Sequence, residues 1–170
     1  MANVTSSMIG VDFNNPSSTA LFGLGTTCLG NQGSEWIYCV STGTLTTGQI
    51  VAVFPSGTAY ALTTALVAGA DTAGTTGNLD LGAIQTNCPQ GQFAWVARKG
   101  LNMYVATTGT IPPVPVAFSP SAGVLITALA AAVNHTAAGI FITTSASTAT
   151  AATAFATLQY PRAITSTPPS

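Results

Sequence analysis

The segment Phe93-Ala-Trp-Val-Ala-Arg-Lys-Gly-Leu-Asn-Met-Tyr-Val-Ala106 decides the fold class. Phe93, Trp95 and Ala97 alternate with Ala94, Val96 and Arg98. After Lys99-Gly100, Leu101, Met103 and Val105 alternate with Asn102, Tyr104 and Ala106. A period of two belongs to a strand, where successive side chains point to opposite faces of a sheet. Lys99-Gly100 predicts a turn, and the segment as a whole predicts a β-hairpin.

Outward from this hairpin, short runs rich in Val, Ile, Phe, Tyr and Trp recur between Gly, Ser, Thr and Pro clusters. This is the pattern of antiparallel strands. Upstream, Trp36–Val40, Gln49–Phe54, Thr58–Thr63 and Leu79–Ile84 are strand candidates, and Pro55-Ser-Gly57 makes a turn. Downstream come Pro115–Phe118, Gly123–Thr127, Gly139–Thr143 and Phe155–Tyr160, the last ending at Pro161. Gly123–Thr127 and Gly139–Thr143 are apolar on both faces, which calls for a sandwich, a closed barrel or a covering subunit. The Ala-rich stretch 128–134 fits a turn of helix, and the low-complexity stretch 145–153 reads as a loop. No internal repeat has a solenoid or propeller period. The expectation is one all-β domain, an antiparallel β-sandwich or β-barrel-like module over residues 21–162. An N-terminal arm covers 1–20 and a C-terminal tail 163–170, where prolines forbid a central strand. Removing residues 1 to about 20 should then leave the domain folded.

Composition sets the limits on function. Of 170 residues, 47% are hydrophobic and 4% charged, with three Lys and Arg against four Asp and Glu. Ordinary domains carry roughly 25% charge. Three bases cannot supply the cationic patch that grips phosphates, so nucleic-acid binding is excluded. Mean hydropathy is +0.48, yet the longest apolar run, residues 124–133, is half of the ~20 residues a spanning helix needs. The first ten residues lack the basic and apolar regions of a signal peptide, so the chain is expected to be made without export. Cys28, Cys39 and Cys88 are odd in number and lack a C-x-x-C spacing, and they read as small buried hydrophobes, with a Cys28–Cys39 bridge as the lesser alternative.

The inventory for catalysis is thin. His135 is the single histidine, so no metal site of the usual histidine type can form, and no nucleophile elbow accompanies it. Asp12, Glu35, Asp71 and Asp80 are widely spaced, as suits surface solvation or turn capping. The glycines match no phosphate-binding loop. Neither an enzyme nor a cofactor is expected. A surface with net charge near zero does little to oppose self-association, and the chain should assemble through apolar and hydrogen-bonded contacts.

Gly91-Gln-Phe-Ala-Trp-Val-Ala-Arg-Lys-Gly100 with Asn102-Met-Tyr-Val-Ala106, Ala122-Gly-Val-Leu125, Ala138-Gly-Ile-Phe-Ile-Thr-Thr-Ser145 and Leu158-Gln-Tyr-Pro161 follow in an order that resembles small virion proteins of tailed bacteriophages, which decorate or cement the head. The resemblance spans roughly residues 36–162. It implies a β-module, commonly a homotrimer, on the outer capsid surface at three-fold and quasi-three-fold junctions. Its arms would bridge neighbouring major capsid subunits against internal DNA pressure. It implies no catalytic residue, no membrane and no nucleic-acid partner, and a chain made in the host cytoplasm. Capsid or subunit contacts are expected at Met8, Ile9 and Phe13 of the arm, at Arg98, Lys99 and Gly100 of the hairpin tip, and at Tyr160, Pro161 and Arg162. A phage head-fibre or tail module that recognises host glycans is the alternative, distinguished by copy number per particle. A major capsid protein is disfavoured by the length and the lack of a long helical pattern.

Overall fold

The computed structural model describes residues 11–62, 80–107, 116–118, 125–127, 135–143 and 152–165. Met8, Ile9 and the stretch 128–134 lie outside the described residues. The fold is all-β. Its strands are β1 (Thr27–Leu29), β2 (Glu35–Ser41), β3 (Ile50–Val53), β4 (Thr58–Ala61), β5 (Asp80–Ile84), β6 (Phe93–Thr107), β7 (Val116–Phe118), β8 (Leu125–Thr127), β9 (His135–Ile142) and β10 (Ala152–Thr165). They form one sheet in the order β1-β2-β4-β3-β5-β6-β10-β9-β7-β8. Pairing is antiparallel except at β2–β4 and β6–β8. The additional pairings β2–β6 and β6–β8 close the sheet on itself twice. One ring runs β2-β4-β3-β5-β6, the other β6-β10-β9-β7-β8, and β6 belongs to both.

The predicted hairpin is instead this single long strand. Lys99-Gly100 does not reverse the chain, because a two-residue hairpin turn favours positive φ at both central positions and Lys is poorly suited to the first. The irregularity is absorbed as a bend: Gly100 has φ +154° and Asn102 φ +55°. The first half of β6 pairs with β2 and β5, and the second half pairs with β10. The halves of the expected hairpin thus find distant partners rather than each other.

Alternation along β2, β3 and β6 divides the apolar side chains between two cores. Ile37, Cys39, Val51, Val53, Ile84 and Val96 fill the first ring. Trp36, Tyr38 and Trp95 point out of that ring and join a second core that continues through Val105, Ile140 and Leu158 inside the other ring. Both faces of the central strands are therefore dry, which accounts for their near-continuous apolar sequences. Cys28, Cys39 and Cys88 are buried and joined by no disulfide.

Two expectations need correction. Phe13 is not an arm contact: it is 1% exposed, stacked on Trp36 at 4.5 Å and edge-on to Trp95 at 5.6 Å. Ser17 joins β6 by two backbone hydrogen bonds with Phe93, 2.9 and 2.8 Å. A deletion through residue 20 would strip this cover from the core, since an aromatic side chain removes ~150–250 Å² from water. Nor does Pro161 end its strand. β10 continues to Thr165 with Arg162 opposite Ala138, and Pro161 sits inside the register shift between Leu158 and Arg162. At a bulge a proline displaces no ladder hydrogen bond, which is where sheets tolerate it.

Candidate interaction site at three bulges

Three strand irregularities meet on one patch. Trp36 pairs with Ala97 and Glu35 with Lys99, so Arg98 is an extra residue of β6 against β2. Against β10, Met103 pairs with Ala156 and Gly100 with Leu158, which inserts another residue at 101–102. Between β9 and β10, Leu158 pairs with Ile140 and Arg162 with Ala138, so residues 159–161 face Gly139 alone. Tyr160 stands in this last bulge with φ +49°. A bulky residue in the left-handed region is strained and marks a place that the surrounding structure holds fixed.

The bulges decide where the charges go. Arg98 and Lys99 are consecutive and would face opposite sides of a regular strand, but the bulge at Arg98 brings both beneath the Tyr160 ring. The Arg98 guanidinium carbon lies 5.6 Å from the ring centroid and Lys99 Nζ 5.9 Å. Arg98 also holds two carboxylates, with Nη2 2.7 Å from Asp80 Oδ1 and Nη1 3.3 Å from Glu35 Oε1. The Tyr160 hydroxyl donates to Glu35 Oε2 at 2.9 Å. That hydrogen bond to Glu35 comes first among the causes that raise the Tyr160 phenol above its ordinary value. Four of the chain's seven charged side chains, two of each sign, are thereby gathered into one neutral cluster. Tyr160, 41% exposed, and Leu101, 54% exposed, stand at its solvent edge.

Of the contact residues read from sequence, the β6–β10 pairing brings Arg98, Lys99, Gly100 and Tyr160 together. Pro161 follows, buried, and Arg162 continues β10 opposite Ala138. Phe13 belongs to the core. Glu35 and Asp80 were not singled out for this patch, because they reach it from β2 and β5 and only sheet pairing shows that. The cluster ties four strands together, β2, β5, β6 and β10, and presents a tyrosine ring backed by cations; both carboxylates are engaged by Arg98. Among the described residues no three of His, Cys, Asp and Glu gather to hold a metal ion, and no helix is long and apolar enough to cross a membrane. Burial pushes the Cys39 thiol up to about 12, which keeps it protonated and unreactive at neutral pH. No protein-family model matches the chain, and no curated protein matches it.

Proposed function

We propose that this chain is a structural virion protein that decorates or cements the outer surface of a tailed-phage capsid, self-associates as a homotrimer and bridges neighbouring major capsid subunits. The observation that carries the reading is the combination of an all-β sheet closed into two rings with a chain that has only seven charged side chains, three of which, Arg98, Glu35 and Asp80, are bound to one another. Such a chain binds through apolar and hydrogen-bonded contacts, and many weak copies on a lattice gain from avidity. The reading includes no catalysis, no cofactor, no nucleic acid and no membrane. Its contact surface centres on Tyr160, Lys99 and Leu101.

A second reading, a head-fibre or tail module for host glycans, is favoured by one feature: the exposed Tyr160 ring flanked by polar and cationic groups, a surface on which a sugar ring could stack. Stoichiometry separates the two. In purified particles, quantified against the major capsid protein by mass spectrometry, cement should appear at a ratio near one or a simple fraction of it. A few copies per particle would establish the fibre reading, and absence from particles would remove both.

A further inference from the structure

A row of residues crosses four strands at the bulges. Leu29 pairs with Glu35, Glu35 with Lys99 and Lys99 with Gln159, so that β1, β2, β6 and β10 each contribute one residue. Cross-strand partners share a face of the sheet and interact there. Leu29 is 64% exposed, Lys99 and Gln159 are exposed as well, and Tyr160 follows Gln159 directly.

The charges at this row are unevenly matched. Glu35 gives one carboxylate oxygen to Arg98 and receives the Tyr160 hydroxyl on the other. Arg98 also holds Asp80. Lys99 stands in register with Glu35, yet among the described residues it has no carboxylate within ion-pair reach. Its ammonium lies instead against the Tyr160 ring, 5.9 Å from the centroid. Two carboxylates bound to one guanidinium leave the inner set negative, and the cation that balances it is the exposed Lys99. The patch is therefore polarised, with its positive end toward solvent.

The aromatic beside that cation is held in one place. Tyr160 has φ +49° in the bulge facing Gly139, and its hydroxyl is anchored on Glu35. A residue kept in a strained conformation by its surroundings is pre-organised, a state that clusters at ligand-binding sites. Next to the ring, the exposed Gln159 amide carries both donors and an acceptor.

We propose that this patch binds a pyranose that carries a carboxylate, as uronic and sialic acids do. The C–H face of the sugar stacks on Tyr160, Lys99 takes the carboxylate, and the Gln159 amide meets a hydroxyl. A neutral sugar would leave Lys99 unmatched, and a small inorganic anion would make no use of the ring. The inference rests on the glycan reading of this surface and names its ligand class.

The test titrates trigalacturonate and sialyllactose, each beside its methyl ester, into the full isotope-labelled chain, followed by amide chemical shifts. Saturable shifts are expected in residues 98–102 and 158–161 with an acid form. Affinity should fall about fivefold for the ester and about fivefold in Lys99→Gln, and stay unchanged in Tyr60→Ser, an exposed aromatic on β4. An ester that binds the patch as tightly as its acid would overturn the inference and leave the glycan reading standing. No saturable shift with either form would remove both. Unaltered binding of the acids by a folded Lys99→Gln, or shifts confined to other strands, would also overturn it.

Discussion

Phe13 sits between Trp36 and Trp95, 1% exposed, and the order of the first ring's outer face depends on it. Phe13→Ala should lower stability by about 3–5 kcal/mol, through lost transfer energy and the cavity left behind. The readout is the shift of the denaturant midpoint at unchanged slope; a loss well below that range would mean that residues 11–17 are not seated on the core. Nothing in Val11-Asp-Phe13 announces this burial, since the segment has no alternation and its partners are more than twenty residues away. Tyr160 makes a prediction about pH. Its phenol is held above the ordinary 10.0, first by the bond to Glu35, so the neutral form is the one the fold favours. Its contribution is present below pH 10 and is lost as pH rises through the higher folded value. The ultraviolet titration curve should move to lower pH in Glu35→Gln as the Tyr160 phenol is released toward its ordinary value; an unchanged curve in that variant would exclude the bond.

At the scale of the element, β6 carries the fold, and its bulges set both the bend and the site. The alternation in 93–106 was legible because period two is a local property. Whether two such runs form a hairpin or one strand was not, because that turns on which distant strands compete for their edges. Gly139 makes the corresponding point on β9. It has φ +74°, and a Cβ there would stand 2.4 Å from the Gln159 carbonyl oxygen and 3.0 Å from that of Tyr160. Gly139→Ala should therefore cost about 2–4 kcal/mol, adding left-handed strain to a backbone overlap. It should also push Tyr160 off Glu35 and move the titration curve to lower pH in the same way. Stability within about 0.5 kcal/mol of the parent would show that the register of β9 and β10 relaxes freely there.

At the scale of the whole molecule, seven charged side chains in 170 residues leave little for salt to screen. Among the described residues one cluster gathers four of them with no net charge, Arg98 binding both carboxylates and Lys99 lying against Tyr160. Thermal melts between low and high sodium chloride should differ by less than about 2 °C, because surface ion pairs contribute roughly 0–1 kcal/mol each and screening acts only on the exposed part. A shift several times larger would mean that long-range charge repulsion or attraction holds the rings together. The sequence by itself determined the all-β class, the period-two alternation of the central segment and the poverty of charge, because alternation and composition are properties of neighbouring residues. Only the tertiary structure decided that β6 runs unbroken through two rings, that Phe13 is core, and that Glu35 and Asp80 meet Arg98 beneath Tyr160. Those outcomes depend on pairing between strands far apart in the chain, and a bulge that moves one residue across a sheet leaves no local mark in the sequence.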